Sequence, residues 1–267
     1  MKQEIYSFKN LEELSREAAG LFSEQAKNCI EEQGFFTAAL CGGRTPKLLY
    51  EMLAQMPAMP WYKIHLFIGD ERFIPIDNPE SNFHMINELL ISRIALPADN
   101  IHRVPIEIGL VDKTAMSYER DMRKFFILAN ARKSCHPEGA SSRDEDQESK
   151  RDPSLSLKME GQYFPVFDFM LLGLGEDGHT ASLFPGDPAV DEKIRWTVPS
   201  IAPGSMAVRQ RITLTLPVIN NARCVAFLGF GESKKKVVEL ILNNREEARK
   251  IYPAALVEPV GRLVWLI

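Results

Sequence analysis

Short runs of almost unbroken apolar residues recur along this chain and alternate with segments of helical period. "FFTAALC", "KIHLFIG", "VFDFMLLG", "RCVAFLG" and "GRLVWLI" are such runs. A strand that reads this way is buried on both faces, the condition of a parallel sheet covered by helices. The intervening segments supply the cover. In "LEELSREAAGLFSEQAKNCIEEQG", Leu11, Leu14, Ala18, Leu21, Phe22 and Ile30 fall near one face, and Gly34 marks the stop. "KLLYEMLAQM", "VDKTAMSYERDMRKFFILANAR" and "ESKKKVVELILNN" repeat the pattern, as does "SNFHMINELLISRI", which Ser81 is placed to cap. "RWTVPSI" and "RITLTLPVI" add further apolar stretches. The alternation predicts an α/β fold, a mainly parallel sheet flanked by helices on both faces. No repeat period and no linker divide the chain, so residues 1–267 predict one domain.

One stretch breaks the rhythm. "KSCHPEGASSRDEDQESKRDPSLSLKMEGQ" is polar and poor in apolar residues, and such a composition does not offset its ordering entropy. It predicts a flexible surface insertion at about 133–160. Cys135 and His136 lie in it, too few ligands for a metal site.

Bulk properties exclude several functions. A net charge of −4 argues against a nucleic-acid partner, which asks for a basic face. The chain has no apolar run of membrane length and no secretory h-region, so a cytoplasmic protein without a membrane partner is expected. Its four cysteines, Cys29, Cys41, Cys135 and Cys224, form no metal-type spacing, which predicts reduced thiols and no metal. Neither a Walker loop nor a G-x-G-x-x-G run is present, so no nucleotide cofactor is implied.

In a parallel sheet the loops that follow the strands emerge on one edge, where ligands bind. "CGGRTP" is the first of these loops. Gly42 and Gly43 permit close approach to a ligand, the following helix presents free N–H groups, and Arg44 and Thr45 add a charge and a hydroxyl. As plain structure, Thr45 caps that helix and Pro46 opens it. "GDERFIP" is the second, a charged loop in which Arg72 suits a phosphate and Asp70 and Glu71 orient it. "GLGEDGHTASLFPG" is the third. His179 stands on it between acids and hydroxyls, the natural base for neutral pH, and Asp177 is placed to fix its tautomer. Ser182 raises a serine-nucleophile alternative but lacks the G-x-S-x-G elbow. The fourth is "RQRITLTLPVINNAR", from which Arg211, or Arg209 instead, reaches the same edge. Cys41 reads better as a buried residue at a strand end than as a nucleophile.

"CGGRTP", "GDERFIP…SN", "DFMLLGLGEDGHTASLFPG" and "RITLTLPVINNAR", in this order, resemble the 6-phosphogluconolactonases. The resemblance implies a Rossmann-like fold of the ribose-5-phosphate isomerase and glucosamine-6-phosphate deaminase type. It implies a metal-independent, cofactor-free hydrolase of the oxidative pentose phosphate pathway, acting on 6-phospho-D-glucono-1,5-lactone, as a monomer or small homo-oligomer. It implies His179 and Asp177 as catalytic residues, with Gly42, Gly43, Arg44, Thr45, Arg72 and Arg211 around the substrate and its phosphate. Arg44 departs from a pattern that favours a small hydroxyl residue, and the 133–160 segment is longer than the pattern needs. The sister deaminases read more like "IAFNEPG" after the histidine and carry tyrosine after the Asp-Glu pair; here "TASLFPG" and Arg72 stand instead. A sugar-phosphate-sensing module on the same fold is a third reading. Such a regulator would carry a DNA-binding domain, for which the residues before Leu11 leave no room.

Overall fold

A computed structural model describes residues 2–134 and 163–267. The insertion expected at about 133–160, with Cys135 and His136, falls outside them except for its first two residues.

Five apolar runs form the inner strands of a seven-stranded sheet, and every pairing in it is parallel. In chain order its strands are β1 (Lys2–Tyr6), β2 (Phe36–Leu40), β3 (Ile64–Ile68), β5 (Ile101–His102), β6 (Phe169–Gly173), β9 (Cys224–Leu228) and β10 (Arg262–Leu266). Their spatial order is β1-β10-β9-β6-β2-β3-β5. β2 and β9 are buried at every residue, as their unbroken hydrophobicity requires. The edge strand β1 is exposed nearly throughout and carries charges, so no apolar pattern announces it.

The helices are α1 (Leu11–Gln33), α2 (Lys47–Gln55), α3 (Asn82–Leu89), α4 (Val111–Ser134), α5 (Leu216–Asn220), α6 (Glu232–Asn243) and α7 (Arg245–Arg249). α1 ends where sequence places its stop: Gly34 adopts φ 88° and donates its N–H to the Ile30 carbonyl at 3.0 Å. Ser81 caps α3 by accepting from the His84 N–H at 3.1 Å.

Connectivity places the site. The crossovers through α1, α2 and α3 each step toward the β5 edge, whereas those through α4 and α6 step toward the β1 edge. Right-handed crossovers therefore put these two sets of helices on opposite faces. The direction changes between neighbours β2 and β6, and their carboxyl ends splay into a crevice.

A second, three-stranded sheet rests against α4. It is antiparallel, in the order β4 (Asp70–Arg72), β8 (Gln210–Leu214), β7 (Thr197–Ile201). The segment "DER", expected as a charged loop, is thus a strand. Pairing with β8 provides what its own side chains do not, and Asp70 and Glu71 are 8% and 2% exposed.

Candidate active site

The loops after β2 and β6, the start of α6 after β9, and the β4–β8 ladder enclose one cavity of about 500 Å³. All eight residues that the resemblance implies line it: Gly42, Gly43, Arg44, Thr45, Arg72, Asp177, His179 and Arg211. Arg209, the alternative to Arg211, points elsewhere and donates to the Ala202 carbonyl at 3.1 Å.

The loop after β6 holds the imidazole by its backbone. The Gly175 N–H donates to the His179 carbonyl at 2.9 Å, and the Gly178 N–H donates to the Gly175 carbonyl at 3.1 Å. Gly178 turns the chain with φ 77° and lies against Tyr252. His179 Nδ1 sits 2.5 Å from Asp177 Oδ1. Burial pushes the Asp177 carboxyl up, but the hydrogen bond and charge of His179 outweigh it, and the net direction is down. An ionised Asp177 accepts from Nδ1–H and leaves Nε2 as the basic nitrogen. His179 packs on Phe184 at 4.8 Å between ring centres, yet its side chain stays 22% exposed, so solvent reaches it.

The turn after β2 supplies donors. The amides of Gly42 to Thr45 donate to no backbone carbonyl of the described residues. Gly43 adopts φ 102°, and Gly42 lies so close to Asn82 that a Cβ there would fall 1.9 Å from Asn82 Oδ1. Thr45 does not cap α2. The helix begins at Lys47 with Pro46 at the cap position, and Thr45 Oγ1 instead accepts from Lys234 Nζ at 3.2 Å. Burial, and then the charge of Arg44, lower the Lys234 pKa, against the opposing pull of Cys41 and Glu176. Arg44 itself is exposed at the rim.

The β4–β8 ladder brings two guanidinium groups together, since Arg72 and Arg211 are directly opposed in register. Arg211 is 6% exposed, and among the described residues its Nε has no hydrogen-bond partner and its Nη2 has only the Met206 sulfur at 3.8 Å. Burial first, then the neighbouring Arg72, lower its pKa. Arg72 donates Nη1 to the Glu80 carbonyl. The acids beside it serve other groups. Glu71 accepts from the amides of Arg72, Asn82 and Phe83 and from the Ser81 hydroxyl, fixing the start of α3. Asp70 accepts from Ser182 Oγ at 2.6 Å.

Two alternative nucleophiles fail, one on its hydrogen bond and one on its burial. Ser182 gives its proton to Asp70, not to an imidazole, and is 1% exposed. Burial pushes the Cys41 thiol up to about 12, which removes its thiolate near neutral pH. Among the described residues no three His, Cys, Asp or Glu side chains gather as a metal site requires, and no helix is long and apolar enough to cross a membrane.

Sequence reasoning missed Lys234, Asn82, Glu176 and Met206, which also line the cavity. A signal for Lys234 was present. Lys234, Lys235 and Lys236 crowd the first turns of α6, where the helix dipole disfavours cations, just after a buried strand.

Residues 9–265 match the family model described as glucosamine-6-phosphate isomerases/6-phosphogluconolactonase. The chain belongs to this family. A 6-phosphogluconolactonase from Synechocystis is 36% identical to it, over 89% of this chain and 84% of the relative. The human 6-phosphogluconolactonase is 32% identical over 98% of this chain and 90% of its own length. In structure, 6-phosphogluconolactonase from Trypanosoma brucei superposes with a TM-score of 0.77 at 28% identity, covering 99% of this chain and 95% of that one. The family fold is thus the one read from the apolar runs, and within the family these relatives all carry the lactonase name.

Proposed function

We propose that this chain, an enzyme of the lactonase side of its family, hydrolyses 6-phospho-D-glucono-1,5-lactone to 6-phospho-D-gluconate, the second step of the oxidative pentose phosphate pathway. One observation carries the reading. An Asp-oriented imidazole and a pair of opposed arginines, Arg211 buried and Arg72 half-buried, line the same cavity. The first is the equipment of acid–base hydrolysis, and the second is an anion grip.

His179 Nε2 removes a proton from water as the water oxygen attacks the lactone carbonyl carbon. The carbonyl electron pair moves to its oxygen, and the amides of Gly42 and Gly43 receive the resulting oxyanion. Asp177 supports the transient imidazolium. The oxyanion then collapses, the bond from that carbon to the ring oxygen breaks, and His179 returns its proton to the departing oxygen. Arg72, Arg211 and Lys234 hold the phosphate, with Thr45 and the rim residue Arg44 beside them. That remote grip positions the reacting carbon against the imidazole.

His179→Ala is expected to lose on the order of 10²–10⁴ in kcat while still binding 6-phosphogluconate. Activity at the parental rate would remove His179 from the mechanism. The reaction itself is tested with freshly prepared lactone and, separately, glucosamine 6-phosphate. Rapid acid release from the lactone alone supports the proposal. Ammonia release from the amino sugar would assign the deaminase reaction, and binding without turnover would assign a sensor.

A further inference from the structure

Ser182 touches both members of one cross-strand pair. Its Oγ donates to Asp70 Oδ2 at 2.6 Å, and its N–H donates to Thr213 Oγ1 at 3.2 Å. Asp70 and Thr213 are directly opposed on the β4–β8 ladder. Two residues along that ladder, on the same face, stand the opposed arginines Arg72 and Arg211. Ser182 is also three residues beyond His179 on the loop after β6, which belongs to the other sheet.

Between His179 and Ser182 the backbone is constrained. Ala181 takes the left-handed conformation at φ 48°, and the Leu183 N–H closes back on the Thr180 carbonyl at 2.9 Å. A non-glycine residue held there costs free energy, and the surroundings must over-determine it. The bonds from Ser182 to Asp70 and Thr213 meet that requirement. All three side chains are buried, at 1%, 8% and 1% exposed, so these bonds work in a low dielectric.

We propose that Ser182 is a positioning residue: through the Asp70–Thr213 pair it locks the loop carrying His179 to the ladder carrying Arg72 and Arg211, and so fixes the base relative to the anion grip. Chemistry that needs both ends of a substrate held at once depends on this lock. Binding of an anion to the arginines alone does not. The inference rests on the proposed lactonase reading for its choice of substrate and product as probes.

Ser182→Ala and Asp70→Ala are compared with the parent and the double variant. Circular dichroism and the thermal midpoint establish the folded fraction. Ser182→Ala is expected to lower kcat per folded enzyme by about ten- to a hundredfold, the effect of slight misplacement of a reacting group. The inhibition constant of inorganic phosphate, which needs only the grip, stays within about threefold of the parental value. The double variant is expected to lose no more than the worse single variant, since both changes break the same bond. A kcat within twofold of the parent, losses that multiply, or a parallel loss of phosphate binding would each overturn the proposal. Equilibrium binding of 6-phosphogluconate gives a readout independent of turnover. Ser182→Ala is expected to weaken it about tenfold, and unchanged affinity would likewise refute the lock. A parent that binds 6-phosphogluconate but fails to hydrolyse the lactone would instead sink the functional reading, with the binding comparison still deciding on Ser182.

Discussion

Gly175 has no side chain because His179 and Asp177 occupy the space one would need. A Cβ built there falls 2.1 Å from His179 Nδ1 and 2.5 Å from Asp177 Oδ1, closer than any real contact allows. The imidazole is part of a flexible side chain, so Gly175→Ala would be relieved by pushing the ring away from its carboxylate, with the strand beneath left in place. The variant is expected to fold with a thermal midpoint near the parental one and to lose about a hundredfold in kcat, since displacement by an ångström has that order of effect. A thermal melt beside a lactone assay measures both. Unchanged kcat would show that the Asp177–His179 contact is dispensable.

At the scale of elements, the β4–β8 ladder stores electrostatic repulsion. Like charges directly opposed across two strands destabilise a sheet. Here the pair is Arg72 and Arg211, the second buried with its Nε unpartnered among the described residues. An anion bound between them relieves the repulsion and satisfies the nitrogen, so folding and anion binding are linked. Arg72→Ala is expected to raise KM about tenfold or more and to leave the ligand-free protein at least as stable. Saturating inorganic phosphate at about 100 times its Kd adds roughly 2.7 kcal/mol to the parent. The variant is expected to gain much less, as read from thermal midpoints with and without phosphate. This ladder was also the part of the fold least legible in the sequence. The strands β2, β6 and β9 announce themselves because burial on both faces demands apolar residues throughout. β4 is three charged residues long and becomes a strand only because β8, far along the chain, pairs with it. β1 was invisible for a related reason, since its charges suit an exposed edge. The site was more legible than these strands. His179, Asp177 and the Gly42–Thr45 turn follow strongly apolar strands, whose topology delivers them to one edge. Asn82 was hidden because a residue after a helix cap carries no sign that it faces a cavity. Lys234 was marked only by three lysines crowded at the start of α6, a pattern that does not single out which of them faces the cavity.

At the scale of the whole molecule, the sheet has two ends with different duties. At the carboxyl ends of β2 and β6 the change of crossover direction opens the cavity. Elsewhere the same architecture must cover whatever its strands carry, and between β3 and β5 it half-buries a pair of histidines. His102 Nε2 lies 3.2 Å from His65 Nδ1, and the His102 ring stacks on Phe67 at 4.0 Å with an interplanar angle of 8°. Burial, and then the charge of His65, lower the His102 pKa from 6.5 to about 3. The folded state therefore refuses a proton that the unfolded chain accepts near pH 6.5. Between these values the unfolded state binds more protons, so this contribution to stability is complete above the unfolded pKa and falls as pH drops toward about 3. By pH 5 the loss amounts to about 2 kcal/mol, before most carboxylates begin to titrate. Urea unfolding at about pH 7.5 and pH 5 is expected to show a decline of that order in the parent. His102→Phe keeps a ring on Phe67 and has nothing to protonate, so its decline over the same interval is expected to be smaller by about the same amount. Equal declines in the two proteins would mean that His102 takes up its proton without unfolding the molecule.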